Sequence, residues 1–477
     1  MSPLDPERSH TKIVATLGPA SEERVEELIR AGLSVARLNF SHGTREEHAR
    51  RIGLVRAAAE RAGREVGLLA DLPGPKMRVA RFPGGGVELE EGALVDLASG
   101  AGTASPGEVR IEVEDLLEAV LPGHRIALAD GQVLLFAEQV AADRLRARVT
   151  RGGFVGDRKG VHLPDSRVRY ELPTPRDRRW IEFAVAQGVD MLGISFVGRA
   201  SEVETVRSLA PGLDLVAKIE RKAALENLED ILRASDGLMV ARGDLGVELE
   251  LEELPLVQKS LLGAALRAGR FTITATEMLE SMVRSSRPTR AEVSDVANAV
   301  LDGTDAIMLS AETAVGEHPV EAVRTMRRIA RAVERSQRYS DLPRPGFRAA
   351  EPDFSNAVAM AAAQVSEALE LERIVCFTET GNTVRQLSRY RPAAEIVALS
   401  PNLPTVRKSA ILANVRPLLF PRHPTLELML GAASRMLLES GLARKGQEVV
   451  FVAGVPPGIA RTNVLKLHRI EEQIELH

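Results

Sequence analysis

The sequence predicts an α/β protein: a (β/α)8 TIM barrel with a small all-β lid domain inserted after strand 3, followed by a C-terminal doubly wound α/β domain. Three observations predict this fold. Eight apolar runs alternate with helical patterns from residue 12 to 335, short strand-like segments interrupt them at 76–165, and a second alternating series follows residue 340. The expected domains are 1–71 with 167–340, 72–166, and 341–477.

The apolar runs of the barrel are rich in β-branched residues, as buried parallel strands are. They cover 12–17, 34–40, 65–71, 189–197, 213–219, 237–241, 271–276 and 305–310, and the helical patterns cover 21–31, 45–62, 176–188, 201–210, 221–234, 255–268, 289–301 and 319–335. Ser21 and Thr289 are suitable helix starts. Barrel active sites lie at the carboxyl ends of the strands, so one face should gather the polar residues there: Thr16, Asn39, Ser41, Asp71, Ser195, Glu220, Asp244, Thr276 and Glu312.

Residues 213–244 contain the strongest candidate site. Two apolar runs joined by a helix form a right-handed strand–helix–strand unit whose parallel strands end on one face. Lys218 and Glu220 end the first strand, and Asp244 follows the second. Two carboxylates beside a lysine suit a divalent cation and an anionic substrate, although strand-end charges also form ordinary salt bridges. The glycine before Asp244 favours a binding site over ordinary salt bridges, because it exposes the backbone to an anion.

The interrupting segment, residues 76–165, is rich in glycine and valine and contains closely spaced runs of alternating polarity. Short strands at this spacing predict a small all-β domain. The segment leaves the barrel after the third strand, on the side where a barrel carries its active site. An insert in that place is positioned to act as a lid.

A proline-containing linker at 340–354 precedes the C-terminal series. Helical patterns at 355–370, 381–391, 404–413 and 425–440 alternate there with strands at 373–378, 395–399, 415–420, 448–453 and 464–469. The turn after the first of these strands places hydroxyls and free N–H groups at a helix start, which suits a phosphate group: Thr378, Thr380, Gly381, Asn382 and Thr383. An ordinary capped turn explains the same residues equally well.

Composition excludes several classes of protein. The chain has 477 residues, 44% hydrophobic and 27% charged, and its net charge of −4 with mixed signs argues against a nucleic-acid surface. The sequence contains no apolar stretch of about 20 residues, the length that would span a membrane. The start shows no secretory leader and Cys376 is the single cysteine, so a cytoplasmic protein is expected. The histidines lack zinc-site spacing.

Lysine is rare in this chain. Only nine of its 62 basic residues are lysines, which indicates that lysine is kept where a compact ammonium matters. Lys76, Lys159 and Lys218 lie in motifs with glycines or carboxylates. These three are therefore candidates for a functional role.

With these motifs placed, the chain resembles the pyruvate kinases over nearly its whole length. The resemblance rests on TKIVATLGPAS (11–21), ARLNFSHG (36–43), ADLPGPKMRV (70–79), RKGVHLP (158–164), KIE (218–220), MVARGDLGVE (239–248), ATEMLESM (275–282) and PTRAEVSDVANAVLDGTDAIMLSAETAVGEHPVEAV (288–323). The last block is long and highly specific. It implies glycolytic transfer of a phosphoryl group from phosphoenolpyruvate to ADP, giving pyruvate and ATP.

The resemblance also implies roles for individual residues. Glu220 and Asp244 would bind Mg²⁺ or Mn²⁺, and Lys218 would stabilise the phosphoryl group in flight and then the enolate. The substrate carboxylate would lie on the N–H groups of Gly243 and Asp244 with Thr276. Thr276 and Ser310 would act where the enol is protonated, although hydroxyls there also cap strand ends. Phosphate and nucleotide contacts would come from Arg37, Arg78, Thr16, Pro19, Asn39, His42 and Lys159.

One departure from the common family pattern concerns K⁺. Many relatives that require K⁺ have Thr, Lys and Glu where this chain has Leu72, Pro73 and Lys76. Counterparts of Asn39, Ser41 and Asp71 bind the ion in those relatives. Because Lys76 brings its own positive charge, the pattern resembles the K⁺-independent branch, and K⁺ should not be required. Glu277 replaces a common Gln, a change for which we have no physical account.

The C-terminal loop at 378–383, together with GVPPGIARTN at 454–463, resembles the allosteric phosphate site of the family. In relatives that site binds sugar phosphates or nucleotides within a homotetramer. A phosphorylated effector and a homotetramer are therefore expected for this chain.

Two other functions share part of the pattern. A Mg²⁺-dependent lyase or aldolase that handles pyruvate enolate also places Glu and Asp at strand ends, but it lacks the β insert and the counterparts of Arg78 and Lys159. A metabolite-sensing paralogue without turnover is disfavoured because Lys218, Glu220 and Asp244 are all present. An ADP-dependence test of pyruvate formation separates these possibilities.

Overall fold

A computed structural model describes residues 8–105, 107–141, 144–166, 168–169, 171–342, 353–455 and 462–471. The predicted linker lies largely outside the described residues. The chain begins with strand β1 (Lys12–Thr16), a 3-10 turn (Glu22–Arg24), helix α1 (Val25–Ala31), β2 (Leu33–Asn39), α2 (Arg45–Ala62) and β3 (Gly67–Asp71). The start of α2 is fixed by a capping box between Thr44 and Glu47.

The segment after β3 forms the predicted all-β insert. It contains β4 (Gly86–Leu89), β5 (Leu94–Ser99), β6 (Glu108–Ile111), α3 (Leu116–Ala119), β7 (Arg125–Leu128), β8 (Val133–Val140), β9 (Leu145–Arg151), β10 (Gly153–Gly156) and β11 (Val161–His162). Its strands pair in the order β11-β7-β8-β9-β5-β6, with β10 and β4 forming a second small sheet. Alternate side chains, including Leu97, Ile111 and Leu135, form a separate apolar core.

The chain then returns to the barrel. The elements are α4 (Pro175–Ala186), β12 (Met191–Ile194), α5 (Ala200–Leu209), β13 (Asp214–Ile219), α6 (Lys222–Glu226), α7 (Leu228–Ala234), β14 (Gly237–Ala241), α8 (Arg242–Glu248), α9 (Leu254–Arg267), β15 (Phe271–Ala275), a 3-10 turn (Glu280–Val283), α10 (Arg290–Leu301), β16 (Ala306–Leu309), α11 (Ala311–Ala314), α12 (Pro319–Glu334) and α13 (Gln337–Ser340). Eight parallel strands close in the order β1-β16-β15-β14-β13-β12-β3-β2. The predicted (β/α)8 barrel with its insert after strand 3 is confirmed.

Local details differ from the sequence-based expectation. The helix expected at 221–234 is divided at Asn227 into α6 and α7. Short helices α8 and α11 begin directly after their strands, where no apolar helical period predicts them. Ser21 precedes the first 3-10 turn, but its hydroxyl accepts from the Gly18 N–H rather than capping the turn. Thr289 forms the expected capping box with Glu292.

The C-terminal domain is a five-stranded sheet with helices. Its elements are α14 (Phe354–Ala368), β17 (Arg373–Phe377), α15 (Asn382–Arg389), β18 (Glu395–Ser400), α16 (Leu403–Ser409), β19 (Val415–Leu419), α17 (Leu426–Glu439), β20 (Glu448–Ala453) and β21 (Val464–Arg469). The strand order is β19-β18-β17-β20-β21, parallel except for β21. The predicted doubly wound α/β domain is confirmed.

The barrel and the C-terminal domain share one apolar cluster. Its barrel part, which we call the barrel floor, includes the inward side chains Val14, Val35, Leu69, Met191 and Val216. The C-terminal part includes Ile374, Ile396 and Val450. Ion pairs surround the cluster: Arg385 on α15 lies 2.7 Å from Asp214, and Arg391 lies 2.7 Å from Asp305. Every helix in the described ranges is too short or too polar to cross a bilayer.

Candidate active site

Lys218, at the end of β13, is the centre of a buried polar cluster on the predicted rim. Its ammonium lies 2.9 Å from Glu220 and 3.2 Å from Asp71, and it donates to the Ser195 hydroxyl at 2.6 Å. Only 8% of Lys218 is exposed. Burial opposes the charge of Lys218, but the carboxylates of Asp71 and Glu220 outweigh burial and raise its pKa. The site therefore holds a fixed positive charge where strands β3, β12 and β13 end.

Asp71 lies between two cations. On its other side Arg37 donates from Nε to the same carboxylate at 2.8 Å, and Arg37 also donates to the Thr16 hydroxyl at 2.9 Å. Burial raises the pKa of Asp71, yet the charges of Lys218 and Arg37 lower it overall. Residues from β1, β2, β3 and β13 are thereby joined into one network.

Asp244, on α8, meets residues of the β insert. Lys76 lies 3.1 Å from this carboxylate, and Nε2 of His162 lies 3.4 Å from it. Lys76 also lies 3.0 Å from Asp130 in the turn after β7. Burial raises the pKa of Asp244, but His162 and Lys76 outweigh it and hold that pKa well below its usual range. The lid is thus fastened to the barrel through Asp244.

The contacts of Lys76 differ from those that the sequence led us to expect. Its ammonium was expected beside Asn39, Ser41 and Asp71, whereas the contacts described for it go to Asp244 and Asp130. Asn39 accepts the Ser41 N–H at 3.1 Å, and Leu72 is buried next to Asp71. His162 and Asp130 were not identified as site residues from the sequence. His162 stands in the RKGVHLP motif, but Asp130 is one acid in a turn and gave no signal.

The carboxylates provide oxygen donors suited to a divalent cation. Glu220 is buried and accepts the Phe196 N–H at 2.6 Å. Burial raises the pKa of Glu220; the charge of Lys218 opposes this rise and the negative charge of Asp244 adds to it. One atom each of Asp130, His162 and Asp244 also lies within 4.8 Å of the others, but the Lys76 ammonium bonds both carboxylates of that group. Ammonium groups also bond Glu220, from Lys218 at 2.9 Å, and Asp244, from Lys76 at 3.1 Å, so the choice of this pair as the donor set rests on the sequence resemblance.

Two loops beside Asp244 complete the rim. The Gly243 N–H donates to the Thr276 hydroxyl at 2.8 Å. Thr276 and Glu277 have φ of 68° and 53°, a left-handed conformation that is uncommon for residues with a Cβ. Buried Glu312 accepts the N–H groups of Ser310 at 2.6 Å and Leu279 at 3.1 Å, which ties the loops after β15 and β16 together.

Three further predicted residues, His42, Arg78 and Lys159, lie at the mouth between barrel and insert. Arg78 donates to the Arg158 carbonyl at 2.8 Å, and Lys159 beside it is exposed. His42 is exposed, and partial desolvation, together with the charges of Arg78 and Arg176, lowers its pKa. Pro19 is exposed beyond β1. This mouth therefore carries an excess of positive charge, which suits a polyanion.

The C-terminal loop forms a compact turn. Thr378 accepts the Gly381 N–H at 3.0 Å, and Gly381 has φ of 91° immediately before α15. The hydroxyls of Thr383 and Thr462 lie 2.5 Å apart, while Thr380 and Asn382 are exposed. Glu379, which sequence reasoning left out, pairs with Arg422 at 2.8 Å. Residues 456–461 of the second predicted segment lie outside the described residues.

Comparison with known proteins agrees with this architecture. A family model for the barrel domain of pyruvate kinase matches residues 8–323, and one for its alpha/beta domain matches residues 356–468. A pyruvate kinase of Methylorubrum extorquens is 43% identical over 461 residues, 96% of each chain. Pyruvate kinases of Geobacillus stearothermophilus and Staphylococcus saprophyticus are 41% and 40% identical over 97% of this chain and 80% and 81% of their own length. The chain belongs to the pyruvate kinase family.

Proposed function

We propose that this chain transfers the phosphoryl group of phosphoenolpyruvate to ADP, giving pyruvate and ATP as the last step of glycolysis. The observation that carries the proposal is the buried ammonium of Lys218 between Glu220 and Asp71, in a chain of the pyruvate kinase family. Phosphoryl transfer depends on charge placement more than on covalent chemistry. A lysine held charged and fixed by two carboxylates meets that need.

On the substrate side, Lys218 binds the phosphoryl oxygens and afterwards stabilises the enolate oxygen. Arg37, held by Asp71 and Thr16, adds a second cation at the phosphoryl group. The N–H groups of Gly243 and Asp244 and the hydroxyl of Thr276 hold the substrate carboxylate. Thr276 and Ser310 deliver the proton to the enolate carbon, through water.

Glu220 and Asp244 would hold Mg²⁺ or Mn²⁺, because both are carboxylates at the ends of adjacent strands and the family resemblance assigns the metal to these positions. The ion supplies Lewis-acid charge neutralisation when it is bound. The cationic mouth of the cleft supports nucleotide binding by Thr16, Pro19, Asn39, His42, Arg78 and Lys159. The domain division proposed for this arrangement is 1–71 with 167–340, 72–166, and 341–477.

Three finer properties belong to the same proposal. K⁺ is not required, since Lys76 supplies a positive charge beside the Asp244 carboxylate. A phosphorylated effector binds at Thr378, Thr380, Gly381, Asn382 and Thr383, supported by the free helix start and the paired hydroxyls of that loop. The enzyme works as a cytoplasmic homotetramer, as the resemblance implies.

The proposal is tested by following pyruvate with lactate dehydrogenase and NADH. Pyruvate should form from phosphoenolpyruvate only when ADP and Mg²⁺ are both present, and ATP should appear in equal amount. Pyruvate released from another carbon substrate without ADP would identify a lyase or aldolase. No turnover under any of these conditions would identify a sensing paralogue.

A further inference from the structure

Arg242, the first residue of α8, makes contacts that the proposed function does not use. Its guanidinium donates from Nη2 to the Thr276 carbonyl at 2.7 Å and from Nε to the Ala275 carbonyl at 3.2 Å. Nη1 donates to Asp295 on α10 at 2.7 Å. Only 10% of the Arg242 side chain is exposed. One buried cation therefore joins three elements around the end of β15.

These contacts fall on a stretch of left-handed backbone at the rim. Thr276 and Glu277 are consecutive residues with a left-handed conformation, which residues with a Cβ adopt only when their surroundings hold them there. The Arg242 guanidinium binds the carbonyl of Thr276 itself. In this conformation the Thr276 hydroxyl meets the Gly243 N–H, one residue after Arg242 in the chain.

We propose that Arg242 is a positioning residue that holds Thr276 in its left-handed conformation, so that the Thr276 hydroxyl lies beside the Gly243 N–H at the substrate-carboxylate site. Asp295 orients the guanidinium by binding both of its terminal nitrogens. Planar geometry is essential, because one side chain binds two successive carbonyls and a carboxylate at once. The inference rests on the proposed function, since it concerns the site for the carboxylate of phosphoenolpyruvate.

Arg242→Lys keeps the charge and loses the planar set of donors. The expected result is a fall of about 10²-fold in kcat/KM for phosphoenolpyruvate, the size of effect that a small misplacement of a substrate contact produces. The KM for ADP should stay unchanged, because the nucleotide residues lie at the mouth between barrel and insert. Equal losses for both substrates would overturn the proposal.

Arg56→Lys is the matched control. Arg56 also joins a backbone carbonyl, that of Val66 at 3.0 Å, to a buried carboxylate, that of Asp190 at 3.0 Å, but it lies at the amino ends of the strands. This variant should lower the thermal midpoint without changing either KM. An equal loss of kcat/KM in Arg56→Lys would mean that any arginine-to-lysine change in the barrel acts through stability.

A double-mutant cycle with Thr276→Ala separates positioning from other effects. The Thr276→Ala variant lacks the hydroxyl that Arg242 is proposed to position. Arg242→Lys should therefore lower kcat/KM for phosphoenolpyruvate by about threefold or less in this background, instead of about 10²-fold. Full additivity of the two losses would overturn the proposal.

Asp295→Asn provides a second variant in case Arg242→Lys does not fold. It keeps the carbonyl contacts of Arg242 and weakens the orienting pair, so kcat/KM for phosphoenolpyruvate should fall by about tenfold, with the KM for ADP again unchanged. An unchanged kcat/KM would contradict the role of Asp295. Inactivity of the wild-type protein would instead reject the proposed function, so the two failures are distinguishable.

Discussion

Lys218 is the residue on which the proposed chemistry most depends. Lys218→Met should lower kcat by about 10²–10³-fold, the cost of removing one preorganised charge from a buried site. The matched control is Lys259→Met, which removes a half-exposed lysine that pairs with Asp302 on the barrel surface. The lactate dehydrogenase-coupled assay measures both variants. A Lys218→Met protein with near wild-type kcat would contradict the role assigned to this ammonium.

Lys76 determines the expected response to K⁺. Wild-type activity should be the same in KCl and in choline chloride at equal ionic strength. Lys76→Glu places a third carboxylate near Asp244 and Asp130, where Lys76 now provides the balancing charge. This variant should therefore be active only when K⁺ is added. Lys76→Gln, which adds no negative charge, is the control, and strict K⁺ dependence of the wild type would reject the prediction.

At the scale of elements, the turn before α15 is the proposed effector loop. Thr383 lies in the first turn of that helix, with its hydroxyl 2.5 Å from that of Thr462. Thr383→Glu would place a carboxylate where a phosphate should bind, so activation by phosphorylated metabolites should be lost while basal activity remains. The measurement is the coupled assay with a panel of sugar phosphates and nucleoside monophosphates.

The control for this prediction lies on another helix of the same domain. Thr425 caps α17 by accepting the Leu428 N–H, away from the proposed loop. Thr425→Glu should leave activation unchanged. If Thr383→Glu responds to every effector as the wild type does, the loop is an ordinary capped turn.

Helix α15 also connects this loop to the barrel. Arg385, one turn into the helix, lies 2.7 Å from Asp214 at the start of β13 and 3.2 Å from Asp236 before β14. The far ends of the same strands carry Lys218 and lead into Asp244. Burial raises the pKa of Asp236, but Arg385 and the Leu215 N–H outweigh burial and lower it overall.

Arg385→Met should destabilise the protein by about 3 kcal/mol, the lower end of the range for breaking a buried ion pair, because Asp214 keeps Lys408 and Asp236 keeps Arg207. The lowered pKa of Asp236 stabilises the folded state above the ordinary carboxyl value of about 3.9. This stabilisation disappears as the pH falls through the lowered pKa. The difference between wild type and variant should therefore be full at neutral pH and shrink below about pH 4.

Thermal unfolding across this pH range measures the difference. Arg469→Met is the control, since Arg469 pairs with Glu448 on an exposed surface where an ion pair contributes little. A difference between wild type and Arg385→Met that persists unchanged in acid would show that the loss comes from packing and not from the ion pair.

Over the whole molecule, the strands were the most predictable feature. The ranges expected at 237–241, 448–453 and 464–469 coincide with β14, β20 and β21. β14 and β20 are buried parallel strands, which must be short apolar runs, whereas β21 is a partly exposed antiparallel strand in which apolar and polar residues alternate. The short helix α8 was missed because RGDLGVE contains two glycines and lacks an apolar period.

The contacts of the candidate site were harder to predict from the sequence. The proximity of Lys218 to Glu220 follows from their spacing on one strand, but the approach of Lys76 and His162 to Asp244 depends on how the insert folds back onto the barrel. Arg242 joins residues that are separated by more than thirty and fifty positions from it. Such long-range pairings are set by the packing of whole elements, which local sequence patterns do not encode.

The shared apolar cluster has a practical consequence for expression of shortened proteins. Val14, Val35 and Met191 at the barrel floor are covered by side chains from the C-terminal sheet, such as Ile374. A protein that ends at residue 342 would expose the barrel floor to water as a large apolar surface. Such a fragment should aggregate even though it keeps the proposed catalytic residues, so the barrel and the C-terminal domain should be cloned and purified as one chain.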